Sequence, residues 1–313
     1  MQTLALGIDI GGTNTAYGIV NRRGEILMKG SLPTTGHATV ADYIAAINTE
    51  LSPLLEKLGR DNVVGVGIGA PNGNFYTGEI IFAPNLPWQG VIIPMANLVG
   101  EALGIKAILT NDANAAAIGE MAYGAARGMK DFILVTLGTG LGSGFVANGQ
   151  MVYGHDGLAG ELGHVIAERN GRKCNCGRYG CLERYASATG IVITAELWLA
   201  ERTDETSLRG HNGKLTARMI QEAAQKGDTF ALELYEYTAM ILGQTLADMV
   251  AVTSPEAIVF FGGLANAGDM LLVPAKKHLE EQLLNIYKNK VKILKSGLPD
   301  ADAAILGASA LAW

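Results

Sequence analysis

Basic charge is in short supply along this chain. Its 313 residues hold 24 Lys plus Arg against 30 Asp plus Glu, a formal net charge of −6. No broad positive field exists to recruit nucleic acid. Long apolar runs are missing as well. None reaches the ~18 uncharged residues of a membrane span, although 49% of the residues are hydrophobic. The opening MQTLALGIDIGGTN has no basic n-region and no small-residue cleavage site, so no secretory leader is expected and a soluble cytoplasmic protein is. Cysteine is nearly absent, with three residues that all fall between positions 174 and 181. Thiols this few and this clustered argue against a disulfide framework and for a metal site.

What is present is a pattern that occurs twice. Residues 4–10 (LALGIDI) run into a Gly-Gly turn, followed by the strand-like AYGIV at 16–20 and EILMKGS at 25–31. Val40, Ile44, Ile47, Leu51, Leu54, Leu55 and Leu58 lie at helical spacing, which predicts a helix over 38–58 stopped at Gly59. NVVGVGIGAP at 62–71 reads as a buried strand. Later, FILVTLGTGLGSGFVANGQMV at 132–152 again gives strand, glycine-rich turn, strand and an Asn-Gly hairpin. Helical stretches follow at about 214–226 and 228–252, then the strand AIVFFGG at 257–263. Strands alternating with helices imply α/β architecture. Doubling at this scale implies two similar lobes with a cleft between them.

The two glycine turns are candidate phosphate cradles. In Asp9-Ile10-Gly11-Gly12-Thr13-Asn14, glycine lets backbone N–H groups converge on an anion, and Thr13 adds a hydroxyl. Asp9, at a strand end, is placed to hold magnesium through water. An ordinary hairpin with a solvated aspartate is the plainer alternative. The second turn, Gly138-Thr139-Gly140-Leu141-Gly142, favours the cradle, because two such turns would hold both ends of a triphosphate. No Gly-Lys-Ser/Thr follows either turn, which disfavours a P-loop, and neither opens a helix as a dinucleotide fingerprint does. Gly262-Gly263 ends a strand and offers a further approach to an adenine face.

Two groups remain. Asn111-Asp112 follows the strand Ala107–Thr110 and precedes an Ala-rich helix. Asp112 suits either a helix N-cap or a general base for a substrate hydroxyl, oriented by Asn111. Cys174, Cys176 and Cys181, preceded by His164, supply the soft ligands of a tetrahedral structural zinc. Glu161 and Glu183 flank them, so a metal here would organise a loop of polar side chains.

These motifs resemble the ROK group of bacterial sugar kinases and repressors. The resemblance rests on Asp9-Ile-Gly-Gly-Thr13, Asn111-Asp112, Gly138-Thr-Gly-Leu-Gly142, Gly160-Glu-Leu-Gly-His164 and Cys174-Asn-Cys-Gly-Arg-Tyr-Gly-Cys-Leu-Glu183, in the family's order. It implies an actin-like ATPase (ribonuclease H-like) fold. One lobe would comprise residues 1–112 plus about 300–313, and the other 113–299 with the zinc loop. It further implies Asp112 as catalytic base, and Asn85, Asn111, Glu161, His164 and Glu183 as sugar ligands. Asp9, Gly11, Gly12, Thr13, Gly138, Thr139, Gly140, Gly262 and Gly263 would hold ATP with magnesium. His164 would be the fourth zinc ligand, one ring nitrogen on the metal and the other facing the sugar. A homodimer is implied too.

The expected reaction is transfer of the ATP γ-phosphate to the 6-hydroxyl of glucose. Ala159-Gly160-Glu161-Leu-Gly-His164 resembles the glucokinase and N-acetylhexosamine branch more than the fructokinase one. N-acetylglucosamine, N-acetylmannosamine and fructose remain alternative substrates. A non-catalytic sugar sensor is the alternative of another class, although a sensor needs neither Asp112 nor the phosphate turns. Loss of zinc is expected to weaken sugar binding while ATP still binds.

Overall fold

The computed structural model describes residues 3–211 and 213–313. It divides into two compact units. Unit 1 runs to Met129 and adds Met151–Ala159 and Ser296–Trp313; unit 2 comprises Lys130–Gln150 and Gly160–Lys295. This differs from the expected boundary after Asp112. The helix that Asp112 opens packs on the closing helix of unit 1, so the chain leaves that unit only after Met129. Residues 151–159 also join unit 1, because the buried Asn74 holds them: its Nδ2 donates to the Asp156 carbonyl at 2.6 Å.

Unit 1 is built on β1 (Leu4–Ile10), β2 (Asn14–Asn21), β3 (Ile26–Pro33), α1 (Val40–Leu58) and β4 (Val63–Ala70). A small sheet of β5 (Gly73–Asn74), β6 (Glu79–Ile81) and β7 (Ile92–Ile93) follows. Then come α2 (Met95–Leu103), β8 (Ala107–Asn111) and α3 (Asp112–Tyr123). The main sheet has the spatial order β3-β2-β1-β4-β8. Its first three strands pair antiparallel, while β4 and β8 run parallel to β1. α1 forms where expected: Thr39 and Asp42 make a capping box, and Gly59 ends it at φ 79°. Tyr43, Ile47, Leu51 and Leu55, four residues apart, are its buried stripe.

Unit 2 repeats the scheme with β9 (Phe132–Leu137), β10 (Leu141–Ala147), the edge strand β11 (Gln150–Met151), β12 (Ala257–Phe261) and β13 (Lys292–Lys295). The order is β11-β10-β9-β12-β13. Its helices are α4 (Ala188–Glu201), α5 (Ala217–Gln225), α6 (Thr229–Thr253) and α7 (Asp269–Gln282). Ile133, Val135, Ile191, Leu242, Phe260 and Leu271 belong to one core, separate from that around Leu6, Ile8 and Ile68 in unit 1. The chain then returns to unit 1 with α8 (Ala303–Ala310). Both sheets place the third, second and first strands of their set before the fourth and fifth, the actin-like ATPase arrangement.

Glycines on β1 and β4 let α8 lie flat on the first sheet. A Cβ at Gly67 would strike the Ala308 carbonyl, and one at Gly7 the backbone of Ile305 and Ser309.

Candidate active site

In unit 1 the topology brings the ends of β1, β4 and β8 side by side. β1 presents Asp9, and β8 hands over to Asp112 at the first turn of α3. Between them lies Gly69: a Cβ there would sit 3.5 Å from Asp9 Oδ1 and 3.9 Å from the Asp112 Cα. Burial, then the charge of Asp112, pushes the Asp9 carboxyl up to about 7. Asp112 is open to solvent by surface area yet closely surrounded by protein. That crowding raises its pKa, and the Ala113 N–H pulls the other way. Among the described residues neither acid forms a salt bridge. Burial and, at Asp9, the neighbouring charge make these carboxylates costly to ionise, a cost that a cation would relieve, so the pair fits magnesium.

The helix cap falls to Asn111 rather than Asp112. Asn111 Oδ1 accepts from the Ala113 N–H at 2.8 Å, while the Asp112 side chain meets the same N–H only with Oδ1, also at 2.8 Å.

The Gly11–Thr13 turn is closed by the Gly11 N–H on the Asn14 carbonyl at 3.1 Å and by the Thr34 N–H on the Thr13 carbonyl at 2.8 Å. Gly12 is where the Asn85 loop approaches: its Cβ would lie 2.6 Å from the Asn85 carbonyl oxygen. A buried chain missed by sequence reasoning stands behind the turn. The Tyr43 hydroxyl meets Thr15 Oγ1 at 2.6 Å, and Thr15 meets Thr34 Oγ1 at 2.8 Å. Burial, together with the charge of Asp9, pushes the Tyr43 hydroxyl up to about 12 against the pull of Thr15 and Thr34.

In unit 2 the second turn is held by the start of α4. The Ala188 N–H donates to the Gly138 carbonyl at 2.9 Å and Thr189 Oγ1 to that of Thr139 at 2.7 Å. Gly138 and Thr139 line a pocket of about 380 Å³ with Ala188, Gln221, Gly263 and Asn266. The two glycines after β12 thus divide their roles. Gly263 lines the pocket, whereas Gly262, at φ 100°, packs against Leu137. Gly140 leaves the room that the Glu183 carboxylate occupies, and Glu183 Oε2 accepts from the Leu141 N–H at 3.1 Å. No pattern in the sequence marked Gln221, Asn266 or Thr189.

The four metal-ligand candidates converge. One donor atom each from His164, Cys174, Cys176 and Cys181 lies within 4.8 Å of the others. Cys176 and Cys181 Sγ are 3.6 Å apart, and Cys174 Sγ is 3.9 Å from His164 Nδ1. A tetrahedral site with ~2.3 Å metal–sulfur bonds spaces its ligand atoms by roughly 3.8 Å, so the set fits zinc. Burial and the adjoining thiols push the Cys181 thiol up to about 12, a cost that a dication removes. His164 Nε2 points the other way, 4.0 Å from Glu161 Oε2. Cys174 Sγ is also 3.9 Å from Glu183 Oε1, so Glu161, His164 and Glu183 gather around the cysteine loop.

Residues 5–313 match the sequence profile described as the ROK family. The chain is 38% identical to the glucokinase of Halalkalibacterium halodurans over 289 residues, 89% of this chain and 86% of that one. It is 31% identical over 314 residues to the N-acetylmannosamine kinase of Escherichia coli O157:H7, covering 100% and 98%. Among solved structures it resembles the ROK family glucokinase of Streptomyces griseus in complex with glucose and AMPPNP. There the TM-score is 0.80 at 33% identity, with 98% of each chain covered.

Proposed function

The chain belongs to the ROK family, and from that premise we propose that it is an ATP-dependent kinase that phosphorylates the 6-hydroxyl of glucose. The observation that carries this reading is the pair of crowded acids, Asp9 and Asp112, beside a glycine turn and without a basic partner. Asp112 takes the proton of the attacking hydroxyl; burial raises its pKa, which makes it a stronger proton acceptor than an ordinary carboxylate. Asp9 would hold magnesium through water, and the ion would supply charge neutralisation on the phosphates. Gly12 and Thr13 in unit 1 and Thr139 and Gly140 in unit 2 offer backbone N–H groups to the nucleotide, while Gly11 and Gly138 close the two turns with their own N–H groups. The pocket beside Gly138 and Gly263 suits a flat base. Asn85, Asn111, Glu161, His164 and Glu183 bind the sugar hydroxyls. His164, Cys174, Cys176 and Cys181 would hold zinc, which would fix the loop bearing Glu161 and Glu183.

The 38% relative, a glucokinase, puts glucose first. The 31% relative, an N-acetylmannosamine kinase, supports N-acetylhexosamine as the second reading. Cytoplasmic location and a homodimer complete the proposal. Among the described residues no helix is long and apolar enough to cross a membrane.

The test is a coupled phosphorylation assay with ATP and magnesium across glucose, N-acetylglucosamine, N-acetylmannosamine, mannose and fructose. Glucose should give the highest kcat/KM. Preference for an acetylated sugar would replace the substrate but keep the chemistry. Binding of sugar by calorimetry without turnover on any of the five would replace the kinase with a sensor.

A further inference from the structure

Arg172, two residues before Cys174, turns towards the start of α4 rather than towards the metal ligands. Its Nη1 donates to the Arg184 carbonyl at 2.8 Å, to Thr194 Oγ1 at 2.9 Å and to the Gly190 carbonyl at 3.3 Å. The guanidinium carbon lies 4.4 Å from the centre of the Tyr185 ring. The hydroxyl of that tyrosine accepts from the Arg172 N–H at 2.8 Å. Gly171 leaves the space this hydroxyl fills, since a Cβ there would collide with it. One side chain and one backbone N–H of the cysteine loop thus grip the segment from Arg184 to the second turn of α4.

Glu183 sits at the near end of that segment. The metal ligands stop at Cys181, so coordination alone fixes only one side of the Leu182–Arg184 turn that carries it. The far side is held where Arg172 takes the Arg184 carbonyl and stacks on Tyr185. A planar guanidinium suits this work. It reaches several acceptors and an aromatic face in one fixed geometry, whereas a lysine ammonium is a single mobile point charge.

We propose that Arg172 is a positioning residue that sets Glu183 against the acceptor sugar, independently of the metal ligands. The loop is therefore fastened twice, at its cysteines and at Arg172. This inference rests on the reading of Glu183 as a sugar ligand.

The test compares Arg172→Met, Arg172→Lys and the milder Tyr185→Phe in the full chain. It measures KM for sugar and for ATP, kcat, and zinc content by atomic absorption. Arg172→Met should raise the sugar KM about tenfold, with kcat within about threefold, ATP KM within about twofold and zinc content at the wild-type level. Arg172→Lys should not restore the sugar KM. Tyr185→Phe, which deletes one hydroxyl and should fold normally, should shift the sugar KM in the same direction by about twofold. An unchanged sugar KM in Arg172→Met, or a rise that comes with loss of zinc, overturns the proposal. Glu183→Gln, run in parallel, separates the two layers. If it raises the sugar KM and Arg172→Met does not, only the role of Arg172 falls. If Glu183→Gln leaves the sugar KM unchanged, the reading of Glu183 as a ligand falls, and this inference with it.

Discussion

The two units share a strand order but not a chemistry. In unit 1, the strand leading into the glycine turn carries Asp9, whose carboxyl is pushed up to about 7 by burial and by Asp112. The corresponding position of the second motif, two residues before its first turn glycine, is Thr136, a neutral side chain whose Oγ1 accepts from the Gly142 N–H at 3.1 Å. Unit 1 thus concentrates charge at its turn, and unit 2 satisfies its turn internally, from Thr136 and from the start of α4. A duplicated topology fixes where a turn stands. One substituted side chain decides whether the turn does chemistry or supplies a cradle.

The comparison is broken most completely at Asp112. Asp112→Asn should lower kcat by about 10³-fold while sugar and ATP KM stay within a few-fold. Turnover unchanged in steady-state assays would remove Asp112 as base. On the neutral side, Gly140→Ala should disturb the sugar rather than the nucleotide. Its Cβ would meet only the Glu183 carboxylate, so the sugar KM should rise roughly fivefold with ATP KM little altered. Gly138→Ala has open space at its Cβ and should leave the sugar KM alone. The reverse pattern would mean that the space Gly140 leaves for Glu183 does not bear on the sugar.

The smallest effect is on stability. Asp9 titrates at about 7 in the fold against an ordinary 3.8, so the folded state carries the cost of its charge fully above pH 7. That cost shrinks as the pH falls from about 7 towards 3.8 and is gone below it. In magnesium-free protein, Asp9→Asn should raise Tm by roughly 2–5 °C at pH 8 and by progressively less towards pH 4. A gain that does not depend on pH, seen by scanning calorimetry, would mean that Asp9 is not strained by its surroundings.

Much of the fold was legible because its signals are local. The two apolar runs into glycine turns, the α1 stripe and the Asn-Gly hairpin each occupy one short window. α4 was not legible: ATGIVITAELWLAE is apolar on most sides and rich in β-branched residues, so its period is blurred. The strands of the small sheet, two or three residues each, are shorter than any alternation can register. At the site, the turns, the acids and the cysteines announced themselves by type and spacing. Their supports did not, because the Tyr43–Thr15 and Arg172–Thr194 contacts join residues 28 and 22 apart. Asn111 and Asp112 show the limit most sharply. Either could cap α3, and only the geometry assigns that role to Asn111.

The glycine-smoothed face of β1 and β4 has a consequence for synthesis. α8, which fills it, comes after the whole of unit 2 in the chain. As the polypeptide leaves the ribosome, unit 2 has all its strands and helices once Lys295 has emerged, while the first sheet still lacks its cover. The unit that begins first is therefore completed last, and it waits with an open apolar face, the species most in need of a chaperone.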